Sequence, residues 1–144
     1  MYDSILVPID GSEQSSRALE HAVGHADTYD AAVHLVFVVD VASVPAEVDA
    51  APVEEKLDRY GESVTDGAAE RVEDAGVSRV ETSVVPGVPH RAILDYAAAH
   101  DVDLVVMGTH GRTGIDRYLL GSVTEKVVRL SEAPVLTVQA DDAE

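Results

Sequence analysis

The 144-residue chain has no cysteine, no tryptophan and a single phenylalanine. Without cysteine there is no disulfide framework, no thiolate metal site and no cysteine nucleophile. Aromatics make up 4% of a chain that is 46% hydrophobic. The core must therefore be Val, Leu, Ile and Ala, the composition of a parallel sheet covered by helices. No apolar run approaches the roughly 18 residues of a membrane span. No basic-then-apolar N-terminus marks a signal peptide. The first strand is expected from about Ser4 with nothing ahead of it. The expectation is one cytoplasmic domain over residues 1–144, long enough to bury a real core.

Basic charge is the other scarcity. Twenty-seven acids face ten Lys and Arg residues, for a net charge of −17, and Lys56 and Lys126 are the only lysines. Such a surface repels nucleic acid and anionic membranes, so neither is expected as a partner. The acids are spread along the chain rather than gathered in a tail. A dispersed acidic coat over an ordinary core suggests a halophilic adaptation to concentrated salt, where the self-repulsion is screened.

Short apolar runs alternate with helical periods. Ser4 to Ile9 reads as a buried strand ended by Asp10-Gly11-Ser12. Ala18, Leu19, Ala22, Val23 and Ala26 then mark one helix face. Ala31 to Val39 is too continuously apolar to have a solvent face. Asp40 to Pro52, with two prolines and no period, reads as a long loop, either a lid or a variable insertion. The positions Val53, Leu57, Tyr60, Val64, Ala68, Val72 and Ala75 predict a long amphipathic helix stopped at Gly76. Gly61 and Gly67 are expected to weaken it by roughly 1 kcal/mol each. Arg79 to Val85 alternates Val80, Thr82 and Val84 against polar neighbours, which suits a strand near a sheet edge. Pro89 suits the start of a helix over His90 to His100. Asp103 to Met107 predicts a fourth, buried strand. A helix from about Val123 to Leu130 and a last strand, Pro134 to Val138, complete the order. That order demands right-handed crossovers and a single doubly wound parallel five-stranded α/β sheet.

Between the fourth strand and the last helix lies Gly108 to Ser122, GTHGRTGIDRYLLGS. Glycines at 108 and 111 let the loop backbone approach an anion. Gly121 and Ser122 open a helix whose free N–H groups point toward the same place. Residues 108 to 122 carry Arg112 and Arg117 against the lone acid Asp116, a local excess of positive charge within an acidic chain. In a sheet ordered 3-2-1-4-5, this loop, Pro8-Ile9-Asp10 and Val38-Val39-Asp40 meet at the switch point, where open parallel sheets bind ligands. Glycines serving only as tight turns are the plainer alternative.

Gly108-x-x-Gly111, nine residues, then Gly121-Ser122 resembles the nucleotide-binding signature of the universal stress protein family. The resemblance extends to Ile5-Leu6-Val7-Pro8-Ile9-Asp10-Gly11-Ser12, Val38-Val39-Asp40, Val105-Val106-Met107-Gly108 and Ala133-Pro134-Val135-Leu136, nearly the whole chain. It implies a Rossmann-like fold and, because the glycines are present, the branch of the family that binds ATP, with AMP or ADP as related occupants. It implies Asp10 at the nucleotide and Pro8, Ile9 and Val38 on the adenine side. Met107, Gly108 and Gly111 would form the ribose and phosphate loop, with His110 and Arg112 inside it. Gly121, Ser122, Val123 and Thr124 would form the phosphate-binding helix start. It also implies a homodimer, which the apolar edge strand Pro134–Val138 suggests independently.

Ser122-Val123-Thr124-Glu125 reads as a capping box, with Glu125 reaching back to the Ser122 N–H. An acid so near phosphates calls for a cation, so Mg²⁺ or Mn²⁺ is expected with the nucleotide, held by phosphate oxygens and water, with Asp10 the candidate ligand through water. His21 and His25 have zinc spacing but no third ligand and read as surface residues. His34 reads as a satisfied core residue. No general base stands near the cradle, so hydrolysis is expected to be slow or absent and the function regulatory. An ATP-hydrolysing or adenylyl-transferring enzyme of the same α/β group and a ligand-free dimeric scaffold stay open. A phosphoacceptor receiver fails, because its acid after strand three and its lysine after strand five are missing.

Overall fold

The computed structural model describes residues 2–40, 47, 49–109 and 122–139. His110, Gly111, Arg112 and Gly121 lie outside the described residues. Among those described, five strands and four helices alternate: β1 (Ser4–Pro8), α1 (Glu13–Tyr29), β2 (Ala32–Val39), α2 (Ala50–Asp74), β3 (Val80–Pro86), α3 (Pro89–Ala99), β4 (Leu104–Gly108), α4 (Ser122–Leu130) and β5 (Val135–Val138). The strands form one sheet in the order β3-β2-β1-β4-β5, every pair parallel. This is the doubly wound arrangement the alternation of apolar runs demands.

The period of two along each strand sorts its side chains into two cores. Ile5 and Val7 of β1, Val33 and Leu35 of β2, and Leu104 and Val106 of β4 face α1 and α2, meeting Ala18, Leu19, Ala22 and Val72. Leu6, Val36, Val105 and Met107 face the other way, onto Ile93 and Tyr96 of α3 and Val127 of α4. Helices on both faces explain why β1, β2 and β4 read as unbroken apolar runs. His34 is buried among them, its Nδ1 2.8 Å from the Tyr96 hydroxyl. That is the satisfied core histidine expected of it.

Three local readings are corrected. The long loop ends before Pro52: α2 begins at Ala50, capped by the Asp49 carboxylate, which accepts the Ala51 N–H at 3.2 Å. Pro52 therefore sits in the first turn, where its missing N–H costs nothing. The strand at the edge does not alternate strictly, since Thr82 is exposed while Ser83 and Val85 are half-buried. The third correction concerns Gly61. A Cβ there would lie 2.6 Å from Cδ1 of Phe37 and 3.1 Å from Val84, whereas one at Gly67 would meet nothing. Gly61 is the close-approach point of α2 over β2 and β3, so its effect is set by packing rather than by helix propensity.

Candidate functional site

The crevice is built where β1 and β4, neighbours in the sheet, send their chains to opposite faces. From β1 the chain turns into α1; from β4 it leads toward α4 on the far side. Pro8 ends β1 half-buried in register with Val36, and the buried Ile9 continues the line by donating its N–H to the Val36 carbonyl at 2.9 Å. Asp10 then turns the chain. Its Oδ1 accepts the Ser12 N–H at 2.9 Å, while its own N–H lies 3.5 Å from Ser15 Oγ. Ser12 caps α1 by accepting the Ser15 N–H at 3.1 Å. The acid is thus held by the same few bonds that start the helix.

On the far wall, Met107 is buried in the core beneath α3 and α4, with half-buried Val38 against the same cluster. Gly108 is the last residue of β4, and Thr109 donates its N–H to the Val138 carbonyl at 3.0 Å. Sixteen positions along the chain, Thr124 of α4 donates its hydroxyl to the Gly108 carbonyl at 2.8 Å, a fully buried bond. That bond fixes the first turn of α4 against the end of β4. The start of α4 therefore stands at the crevice end of the sheet.

The structure redistributes several roles. Ser122 is exposed and is the first described residue of α4. Glu125 pairs with Arg129 one turn along, at 3.5 Å. The Thr124 hydroxyl, a candidate phosphate contact, is directed to the Gly108 carbonyl. Val123 is half-buried against the α3–α4 core. Gly108 has a packing reason to be glycine: a Cβ there would lie 2.8 Å from Cβ of Gln14 and 3.1 Å from its carbonyl oxygen. The first turn of α1 passes directly over this glycine.

Two neighbours of the site were not found by motif reading. Gln14 is one. The other is Tyr60 of α2, whose hydroxyl occupies the space a Cβ at Gly11 would need. Tyr60 has the spacing of a core-facing helix position, and no local signal ties it to the β1–α1 turn. His21 and His25 hold no metal cluster: among the described residues no three His, Cys, Asp or Glu side chains converge. The His25 Nδ1 lies 2.9 Å from the His21 carbonyl.

An open parallel α/β sheet ordered β3-β2-β1-β4-β5, with helices on both faces, defines the class of doubly wound Rossmann-like proteins. Comparison with known proteins narrows the class. The sequence profile described as the universal stress protein family matches residues 1–139, and the chain belongs to that family. It is 38% identical over 142 residues to the universal stress protein MJ0531 of Methanocaldococcus jannaschii, covering 96% of this chain and 83% of the relative. The solved structure of the hypothetical protein MJ0577 superposes with a TM-score of 0.87 at 34% identity, covering 99% of both chains. A universal stress protein crystallised in complex with cAMP matches with a TM-score of 0.73 at 29% identity, over 96% of this chain and 97% of that one. No described helix is long and apolar enough to cross a membrane.

Proposed function

We propose that this chain binds an adenine nucleotide, ATP above all, in the crevice between Asp10, Val38 and Met107-Gly108, and acts as a nucleotide-dependent regulatory dimer. The observation that carries the reading is the Thr124–Gly108 bond. It aims the start of α4 at the switch point, where a helix dipole and free N–H groups favour phosphate. A family member with bound cAMP supports an adenine nucleotide as the occupant. Asp10, Pro8, Ile9 and Val38 would line the base and ribose, and Ser122, Val123 and Thr124 would offer backbone N–H groups to phosphate. His110, Gly111, Arg112 and Gly121 complete the proposed phosphate loop.

The donor set fits Mg²⁺ or Mn²⁺ only as a companion of the phosphates. No protein cage of three ligands exists among the described residues, and Glu125 is occupied by Arg129. Asp10 would reach such an ion through water. Turnover of the nucleotide is proposed to be slow or absent. A ligand-free scaffold is the competing reading, and one observation favours it: Gly108 already has a packing reason to be glycine. The test is nucleotide content. Purified chain is heat-denatured and the supernatant analysed. Adenine nucleotide near one per chain, lost in Gly121→Asp, is the expected result. An empty supernatant, together with no uptake of added ATP, would favour the scaffold.

A further inference from the structure

Gly11 has φ +85°, and a Cβ there would collide with the Tyr60 hydroxyl and lie 3.3 Å from its Cζ. α2 therefore presses on the turn that carries Asp10. The Tyr60 ring also stands edge-on to Phe37 of β2, centroids 5.7 Å apart at 75°. Phe37 is itself roofed by Gly61, the residue after Tyr60. One side chain thus bears on Gly11, next to Asp10, and on Phe37, next to Val38. Those are the two adenine-side walls of the crevice.

We propose that Tyr60 is a positioning residue for the crevice, holding the Asp10–Ser12 turn against the β2 wall and passing its occupancy on to α2. This rests on the nucleotide reading above. Tyr60 is 40% exposed although Ala68 and Val72, further along the same helix face, are buried. The α1–α2 side opens there as a cleft of about 320 Å³ bordered by Ile9, Gly11, Leu19, Tyr60, Ser63 and Gly67. Tyr60 therefore borders open space on its α1 side, while the next residue, Gly61, packs closely on Phe37. A ligand that holds Asp10 and Val38 restrains their chain neighbours Gly11 and Phe37, on which Tyr60 rests, and so steadies that part of α2.

The experiment is hydrogen exchange of the full chain with and without ATP and Mg²⁺, together with ATP affinity, for wild type, Tyr60→Phe and Tyr60→Ala. ATP is expected to slow exchange across residues 53–64 of the wild type. Tyr60→Ala should lose that slowing and bind ATP roughly tenfold more weakly. Tyr60→Phe keeps the ring on Phe37 but loses the group against Gly11. It should bind several-fold more weakly at an unchanged thermal midpoint, and it carries the test alone if the alanine variant does not fold. Wild type that binds no ATP would overturn the nucleotide reading and this proposal with it. Wild-type affinity in the folded variants, with the slowing of residues 53–64 intact, would overturn the Tyr60 proposal alone.

Discussion

Gly61 and Gly67 lie on the same helix, and propensity alone treats them alike: alanine at either should add up to about 1 kcal/mol. Their surroundings separate them. At Gly67 nothing lies within reach of a Cβ, so Gly67→Ala should stabilise by about that amount. At Gly61 the new methyl would meet Phe37 at 2.6 Å and Val84 at 3.1 Å, so Gly61→Ala should destabilise by about 1–3 kcal/mol. Urea denaturation of the two variants should give opposite signs. His34 supplies a second residue-scale expectation. Burial pulls its pKa below the ordinary 6.5, opposed by the Glu81 carboxylate and reinforced by His100. The folded state therefore prefers the neutral ring. Its contribution is complete above pH 6.5 and is lost as pH falls below that value. Replacing it by glutamine should flatten the fall of the urea midpoint between neutral and mildly acidic pH; an equally steep fall in His34→Gln would contradict this. Neither effect is legible in the sequence, because Phe37, Glu81 and Tyr96 reach these positions only through the tertiary fold.

At the scale of elements, the legible features were those that burial imposes on a continuous stretch. The unbroken apolar runs of β1, β2 and β4, against the polar-flanked β3, were enough to place β3 near an edge, where the sheet order puts it. Boundaries were harder. Pro52 reads as a breaker in one dimension, yet the first turn of α2 tolerates it because no N–H is wanted there. The proposed dimer is also an element-scale matter. Val105 donates to the Pro134 carbonyl and Thr109 to the Val138 carbonyl, so the even-numbered residues of β5 bond to β4 and the Thr137 N–H points outward from the sheet. Thr137→Pro therefore leaves the β4–β5 ladder intact while removing a donor from the free edge. The variant should run as a folded monomer in gel filtration beside a dimeric wild type. A dimeric Thr137→Pro would place the interface elsewhere.

Over the whole molecule, the charge of −17 acts on stability rather than on the fold. The ion pairs among described residues, such as Arg17 with Glu13, Arg71 with Glu20 and Arg129 with Glu125, are exposed and far fewer than the acids. They offset little of the repulsion. Raising KCl from dilute buffer to about 1 M, where the Debye length is about 3 Å, should raise the thermal midpoint. A flat or falling midpoint would contradict the proposed adaptation to salt. The same field disfavours a polyanion, so a nucleotide must be met by local groups: the backbone around α4's start and the arginines of the loop after Gly108. The sequence announced that contrast through the position of Arg112 and Arg117. It could not announce that Thr124 would spend its hydroxyl on Gly108, or that Gln14 would also require a glycine at that point.

The central claim is that the crevice at the β1–β4 switch point holds an adenine nucleotide. The most direct test is titration of ¹⁵N-labelled chain with ATP and Mg²⁺, following backbone amides by NMR. Saturable shifts are expected at Asp10, Val38, Gly108, Val123 and Thr124, with little change at the far end of the sheet around Ala32 and Val80. An unchanged spectrum at saturating ATP, or shifts confined to residues away from that crevice, would contradict it.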